Sequence, residues 1–261
     1  MNTSIADEEC IDSPRITRLP TIADDRGMLT YIQHPDSLPF DIAEVQWSDL
    51  SHQAFELNPR IDVPEALIAI AGSITVDPVG ATLKSSDVAL ILPSHTHRTI
   101  LPTDPSTVIL RLLPSSHTST QVAPYSAPSA KKSSLSHCRI IPLSQNDSGL
   151  FSTSSHLPFK VRRVFYISKI PTNLSRGHHS HDEMQEILVA CRGSFSVTLN
   201  DGHNSRTFIL DHPAKALYIP AGIWRTLHDF SPDSICLAAA STTYSPDDYE
   251  TDFQKFIQKK I

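Results

Sequence analysis

The chain has 261 residues, of which 39% are hydrophobic and 19% charged, a composition that suits a folded protein with sizeable apolar cores. Its net charge of −6 and its scattered Lys and Arg residues argue against nucleic acid and against an anionic membrane surface as partners. No apolar run approaches the ~20 residues of a membrane span, and the four cysteines form no CxxC pair, so we expect a cytoplasmic protein with free thiols.

Short apolar runs separated by glycine and proline follow one another along the chain. Runs of this length, often alternating in polarity, are typical of the strands of a β-sandwich or barrel. A helix is indicated only at the end, where acidic residues come early and lysines late. In chain order the segments are EALIAIAGSITV, DVALILP, TVILRLLP, VRRVFYI, EILVACRGSFSVTL, ALYIP, SICLAAAS and the helical SPDDYETDFQKFIQKKI.

The two halves of the chain are similar to each other. Residues 24–47 align with 146–166, residues 65–76 with 186–197, and residues 90–100 with 217–227, always in the same order. Between the halves lies a segment rich in Ser, Pro, Thr and Ala, a composition typical of a flexible linker. The sequence therefore predicts a duplicated fold of two β-barrel domains, residues 12–114 and 138–261, joined by a linker at 115–137.

A histidine motif in the second half is the strongest chemical signal. His179 and His181 are one residue apart and are followed by Glu186, so on a strand both imidazoles point to one face. This spacing resembles the first metal motif of the cupin superfamily, whose second motif supplies another histidine. Arg225 stands at that position here, and a guanidinium has no lone pair for a metal. A metal site, a metal-free site for proton transfer and histidines without chemistry remain open, and we favour the second.

The second half contains four segments with a recognisable pattern: LPFKVRRVFYI, SRGHHSHDEMQEILVACRGSFSVTLNDG, ALYIPAGIWRTLHDFSPDSICLAAAS and YSPDDYETDFQKFI. In these segments it is similar to the WxcM-like sugar 3,4-ketoisomerase family of cupins, which act on dTDP-4-keto-6-deoxyglucose in deoxysugar biosynthesis for surface polysaccharides. The resemblance spans about residues 141–257, and DDRGMLTYIQ and LPFDIAEVQW extend it weakly to the first half. It implies an all-β fold of two tandem cupin barrels (double-stranded β-helix, or jelly roll) with a short C-terminal helix.

The resemblance implies an isomerase that works on a nucleotide-linked keto-sugar through an enediol(ate), with neither a metal nor another cofactor. Such a reaction needs a base near C3, a proton donor, and positive or hydrogen-bonding groups around the developing oxyanion. By resemblance His179 is the leading acid/base, His181 relays protons or orients the sugar, and Tyr166 donates to an oxygen. The candidates for substrate binding are Arg163, Arg176, Glu186, Arg225, Tyr218 and Trp224.

The second half departs from the family pattern at several positions. The early D-x-R-G motif has Ser148 in place of its arginine, Glu186 replaces a glutamine, and Phe165 replaces a tyrosine. Arg225 occupies a position that varies among relatives with different C4 stereochemistry. These departures keep open a catalytically inactive bicupin that binds nucleotide sugars. A sugar 3,5-epimerase and a metal-dependent cupin oxygenase are two more candidate functions.

The first half lacks the residues for proton transfer. The aligned repeats place Asn58 and Arg60 at the positions of the two histidines, and Trp47 at that of the tyrosine. We therefore predict a degenerate, non-catalytic barrel that pairs with the second as a pseudo-dimer within the chain and covers a sheet edge. The hypothesis includes Arg26 or Arg98 as side chains lent to the working pocket. A homodimer of the whole chain stays open.

Overall fold

The computed structural model describes residues 11–50, 62–115, 128–147, 149–153 and 157–261. Within these residues strands dominate and one short α-helix closes the chain, which confirms the all-β expectation. In the first half the strands are β1 (Arg15–Arg18), β2 (Thr21–Asp24), β3 (Gly27–Gln33), β4 (Glu44–Asp49), β5 (Glu65–Ala71), β6 (Ile74–Asp77), β7 (Ala81–Leu83), β8 (Val88–Leu92), β9 (Thr99–Pro102) and β10 (Val108–Leu113). In the second half they are β11 (Arg139–Pro142), β12 (Phe151–Ser152), β13 (Arg163–Ser168), β14 (Arg176–His181), β15 (Glu186–Arg192), β16 (Phe195–Asn200), β17 (Ser205–Leu210), β18 (Lys215–Ile219), β19 (Trp224–His228), β20 (Ile235–Ala240) and β21 (Tyr249–Glu250), followed by α1 (Phe253–Lys260).

The two halves exchange strands. One large sheet has the order β1-β8-β5-β10-β4-β12 and the other the order β11-β18-β15-β20-β13-β3-β2. Thus β3 of the first half pairs along β13, with Thr30 opposite Tyr166, while β12 of the second half pairs with β4. These are equivalent strands in the aligned repeats, so the exchange is reciprocal. The sheets therefore do not follow the predicted boundaries of 12–114 and 138–261, because residues 21–33 complete the second sheet.

The described residues form three apolar cores, as strand alternation requires. One lies between the two large sheets, and each barrel has its own interior core, closed by a smaller sheet of β17-β16-β19-β14-β21 or β7-β6-β9. Along β13, Val164 and Tyr166 pack in the core between the sheets, whereas Ile167, with Phe165 against it, packs in the interior of the second barrel. Successive side chains point to opposite faces, so the parity of a residue number decides which core it enters.

The end of the predicted linker packs on the second barrel. Residues 130–132 and 135–137 form two short 3-10 turns. Lys260 donates from Nζ to the carbonyls of Ala130 at 2.5 Å and Ser133 at 3.1 Å, and the Leu135 amide donates to Asp201 at 3.0 Å. Gly222 permits this approach, because a Cβ there would lie 2.1 Å from the Ala130 oxygen. This end of the predicted linker therefore contacts the second barrel, while residues 116–127 lie outside the described residues.

The cysteines that the structure describes are free and buried, as the spacing indicates. They are Cys138, Cys191 and Cys236, and burial raises the pKa of the Cys138 thiol to about 12. A thiol with this pKa stays protonated and unreactive at neutral pH. In the same described residues, no helix has the length and apolar character needed to cross a membrane.

Candidate active site

A cavity of about 230 Å³ opens into the interior of the second barrel. Strands β14, β15 and β19 supply most of its polar wall, and the segment around β3 of the first half closes one side. Its floor is apolar, which keeps the polar groups in a partly dehydrated setting. The residues that line it include Arg26, Leu29, Phe165, Arg176, His179, His181, Glu186, Arg225 and Tyr249.

A bulge in β14 positions the first histidine. The pairing of β14 with β19 shifts register between Gly177 and His179, and His179 then lies opposite Arg225. Gly177 has a φ of +84°, and a Cβ there would lie 2.8 Å from the Arg225 carbonyl oxygen. Only glycine accepts both the backbone conformation and the close approach. Bulges often re-aim side chains at active sites, and this one directs His179 into the cavity.

The two imidazoles form a hydrogen-bonded chain with their neighbours. Nδ1 of His181 lies 3.0 Å from Oδ2 of Asp248, and Nδ1 of His179 lies 3.0 Å from the Gly177 carbonyl oxygen. Both partners are acceptors only, so each Nδ1 must carry the hydrogen. In the neutral rings both Nε2 atoms are then unprotonated, and they face each other at 3.1 Å. One added proton converts this contact into a hydrogen bond, so the pair is built to take up a single proton.

The surroundings keep this pair neutral at rest. Burial, with a smaller contribution from the charge of Arg225, lowers the pKa of His179 well below its ordinary value. Burial and Arg225 lower the pKa of His181 in the same direction. A desolvated imidazole beside a fixed cation disfavours the charged form, so both Nε2 lone pairs remain available at neutral pH. This is the state that a general base requires.

A buried ion pair stands beside the histidines. Nε of Arg225 lies 2.9 Å from Oε1 of Glu186, and both side chains are almost fully buried. Burial raises the pKa of Glu186, while the charge of Arg225 opposes the rise. Within the part of the chain that the structure describes, the two terminal nitrogens of Arg225 have no hydrogen-bond partner. Because Arg225 lines the cavity, these donors can stabilise an oxyanion that binds there.

The same ion pair bears on metal binding. Arg225 stands at the sequence position where the cupin pattern has its further histidine, and its guanidinium forms an ion pair with the carboxylate of Glu186. Among the residues with described structure, no three His, Cys, Asp or Glu side chains form a group that could hold a metal ion. The donor set therefore does not fit a first-row metal, which normally has three or four protein ligands.

Tyr249, which sequence reasoning did not single out, lies against both histidines. Its ring centroid is 5.0 Å from that of His179 and 4.3 Å from that of His181. Burial raises the pKa of this phenol, so it stays protonated and can donate a hydrogen bond. The sequence feature that could have identified it is the closing segment YSPDDYETDF, which contains both Asp248 and Tyr249. The local sequence does not show that this segment packs against the histidines.

The first half contributes Arg26 to the cavity. Arg26 follows β2, and strand exchange carries it to the mouth of the second barrel. Its carbonyl oxygen accepts a hydrogen bond from Arg176 at 3.2 Å, and its side chain is held by Asp24 at 2.5 Å. In the aligned repeats the residue equivalent to Arg26 is Ser148, where the second half lacks the family's arginine. That residue itself is not described, but β12, which follows it closely, pairs in the sheet of the first barrel.

Arg98 does not reach the second cavity. Its guanidinium is buried in the first barrel against Glu65, which also binds Arg111, and Arg111 donates to Gln46 at 3.1 Å. Glu65 and Arg98 are the equivalents of the glutamate and arginine of the second cavity in the aligned repeats. The first barrel thus keeps this ion pair, while the predicted replacements Asn58 and Arg60 lie outside the described residues.

Two of the tyrosines singled out in the sequence, Tyr166 and Tyr218, lie outside the cavity. Tyr166 faces the core between the sheets, where its hydroxyl donates to the carbonyl of Ser86. Tyr218 is buried in the same core, and its hydroxyl donates to Gln185 at 2.7 Å. Both have even numbers on strands whose odd-numbered neighbours point into the barrel, so alternation turns them away.

Two further predicted binding residues also do not line the cavity. Trp224 is on the outer face of β19 and packs against Phe253 and Phe256 of α1, at centroid distances of 5.0 and 5.5 Å. Arg163 is buried behind the site and donates to the sulfur of Met184 at 2.9 Å. The structure therefore brings together five of the nine predicted residues, which are His179, His181, Arg176, Glu186 and Arg225.

Comparison with known proteins identifies relatives of the half that holds the cavity. The family model described as "FdtA: WxcM-like, C-terminal" matches residues 131–261. A TDP-4-oxo-6-deoxy-alpha-D-glucose-3,4-oxoisomerase of Aneurinibacillus thermoaerophilus is 36% identical over 109 residues, 41% of this chain and 78% of the relative. A sugar 3,4-ketoisomerase of Thermoanaerobacterium thermosaccharolyticum in complex with TDP aligns with 26% identity and a TM-score of 0.44, over 49% of this chain and 96% of its own. A 3,4-ketoisomerase of Helicobacter canadensis aligns with 28% identity and a TM-score of 0.43, over 47% and 96%.

Proposed function

Because the chain belongs to the FdtA family of WxcM-like C-terminal domains, we propose that its second barrel interconverts the 4-keto and 3-keto forms of a TDP-linked 6-deoxyhexose. Family membership and the related 3,4-oxoisomerase confirm the resemblance and the isomerase class expected from the sequence. The observation that supports this site is the pair of unprotonated Nε2 atoms of His179 and His181, facing each other at 3.1 Å in the cavity.

The proposed reaction starts with proton abstraction. Nε2 of His179 takes the hydrogen of C3 as a proton, the C3–H electron pair forms a C3–C4 double bond, and the C4 carbonyl oxygen becomes an enolate oxygen. The abstracted proton then lies between the Nε2 atoms of His179 and His181 and forms a hydrogen bond between the two rings. A proton then returns to C4, the C3 hydroxyl loses its proton and the C4 oxygen gains one. The product is the 3-ketone, with no net gain or loss of protons.

Two groups are placed to stabilise the enediolate. The terminal nitrogens of Arg225, which are not engaged elsewhere in the described structure, are proposed to donate to its oxygens. Tyr249 lies against both histidines and retains its phenol proton, so it takes the donor role that the sequence predicts for Tyr166. The buried carboxylate of Glu186 holds the guanidinium in place at 2.9 Å.

The mouth of the cavity suits the anionic part of the substrate. Arg26 and Arg176 lie there side by side, and Asp24 offsets only part of their charge. Burial lowers the pKa of Arg176, with a further contribution from the neighbouring Arg26, so an anion that binds both relieves their repulsion. A diphosphate accepts hydrogen bonds from guanidinium groups with good geometry. We therefore assign these arginines to the TDP diphosphate.

In this proposal the first barrel is a non-catalytic partner. Its interior contains the buried ion cluster of Glu65 with Arg98 and Arg111, at positions aligned with Glu186 and Arg225 of the working cavity. To the second barrel it contributes β3, which covers the edge of β13, and Arg26, which precedes β3. The chain thus forms a pseudo-dimer in which the working site uses both halves.

The activity is tested by incubating the protein with TDP-4-keto-6-deoxyglucose in D₂O and following C3 and C4 by NMR. We expect a 3-keto product with deuterium at C4, because the proton delivered there passes through an exchangeable base. Neither rearrangement nor exchange at C3, despite binding of TDP, would instead indicate a protein that only binds nucleotide sugars.

The pH dependence of kcat/KM tests the electrostatics of the base. An ordinary imidazole is half protonated at about pH 6.5. Because burial and Arg225 lower the pKa of His179, its neutral, active form persists below that pH. We therefore expect kcat/KM to stay level from about pH 7.5 to about pH 6 and to fall only in more acidic solution. A half-maximal value near pH 6.5 would contradict a desolvated base, and far-UV circular dichroism over the same range controls for unfolding.

A further inference from the structure

We propose that Asp248 connects the buried His181, and through it the partly buried His179, to the outer surface, so that the proton taken from the sugar leaves and returns through His181 and Asp248. This inference deepens the proposed function and rests on it for the direction of proton flow. The contacts that support it are all between residues of this chain.

The carboxylate of Asp248 is fixed between two donors. Oδ2 lies 3.0 Å from Nδ1 of His181, and Oδ1 accepts a hydrogen bond from the amide of Glu183 at 2.6 Å. The Asp182 amide also donates to the Asp248 carbonyl at 3.0 Å, which ties the two segments together. Such a double constraint holds the carboxylate on the far side of the imidazole from the cavity. Asp248 therefore contacts His181 but not the substrate, as a positioning residue does.

Asp248 also borders a second cavity. A cleft of about 560 Å³ is lined by Asp248 together with Asp41, Arg162, Glu183 and Asp247, and neither His179 nor His181 lines it. The side chain of Asp248 is 10% exposed, whereas that of His181 is 1% exposed. Asp248 thus touches the cleft on one side and the buried ring on the other. It is the described link between the reaction cavity and this outer cleft.

The chain can move a proton in either direction. A proton that enters at Nε2 of His181 allows the Nδ1 hydrogen to pass to the Asp248 carboxylate and then to water in the cleft. Delivery to C4 runs the same chain backwards, from Asp248 to Nδ1 and from Nε2 to the sugar through His179. One proton leaves and one returns in each turnover, so both rings recover their original tautomers.

Asp248→Asn tests the route, because an amide cannot take up this proton. The wild type and the variant are compared in D₂O for turnover and for the fraction of product with deuterium at C4. We expect turnover to fall roughly 10-fold and the deuterated fraction about 3-fold, since a trapped proton is returned to the sugar before it exchanges. An unchanged deuterated fraction would overturn the proposal. Asp247→Asn, in the same cleft, is the matched control and should change neither quantity.

A second measurement needs no turnover. In the free wild-type protein, ¹⁵N NMR should find the hydrogen of His181 on Nδ1, and this hydrogen should exchange with D₂O roughly 10-fold faster than in Asp248→Asn. The Nε2-protonated tautomer, or equal exchange rates, would overturn the route even if Asp248→Asn is inactive. If the wild type does not isomerise the sugar, the proposed function fails while these NMR results still decide whether Asp248 serves as a proton exit.

Discussion

Replacement of His179 by asparagine should lower kcat by roughly 10²–10⁴-fold, the contribution of a well-placed general base. Asparagine is close in size and can still donate to the Gly177 carbonyl, but it has no lone pair that accepts a proton at neutral pH. Binding of TDP should be nearly unchanged, because the proposed diphosphate contacts lie at the mouth of the cavity. The loss is measured in the NMR assay under saturating substrate.

The matched control for this variant is His228→Asn. His228 belongs to the same barrel, but its ring points to the outer face, where it contacts Thr198 at 2.7 Å and Asp229 at 2.8 Å. We expect full activity in this variant. If His179→Asn kept wild-type turnover, the base would have to be sought elsewhere, and the unprotonated Nε2 pair would lose its role.

Arg26→Ser should weaken TDP binding and raise KM by roughly 10- to 30-fold, because a charge-assisted contact to the diphosphate is lost. Serine is the residue that the second half carries at the equivalent position 148, so the variant makes the two halves alike there. The side chain is 61% exposed, and stability to thermal unfolding should change little. Isothermal titration with TDP measures the binding constant without depending on turnover.

Arg18→Ser controls for the loss of a positive charge from the first half. Arg18 is 89% exposed on β1 and lies 3.6 Å from Asp87, away from the cavity. We expect its TDP affinity and KM to match those of the wild type. Equal TDP binding by Arg26→Ser and the wild type would show that the first half does not serve the working site through this residue.

The reciprocal exchange of strands shows what each half of the duplicated chain provides to the other. A single barrel of this type would leave the edge of β13 without its outer neighbour, and β3 of the other half supplies that neighbour. The same exchange brings Arg26 of the first half to the cavity of the second barrel. An arginine retained at position 26 and a serine at 148 are therefore consistent with one working site and one silent barrel.

The sequence by itself determined the features that depend on local pattern. Alternating apolar runs predict an all-β fold, and the aligned repeats predict that it is duplicated. The spacing of His179 and His181 places both rings on one face of a strand. The absence of a lone pair on Arg225 follows from its chemistry alone. These features depend on the residue types and their order along the chain, and not on contacts between distant residues.

Only the tertiary structure decided which residues meet. Repeat similarity shows that β3 and β12 are equivalent, but the two copies can pair within their own half or across halves with nearly the same contacts. The parity that turns Tyr166 into the core between the sheets depends on register in a specific sheet. Asp248 and Tyr249 reach the histidines only because the chain returns after β20 to pair with β14. Contacts between residues about 70 positions apart are fixed by packing of the whole barrel, and no local pattern encodes them.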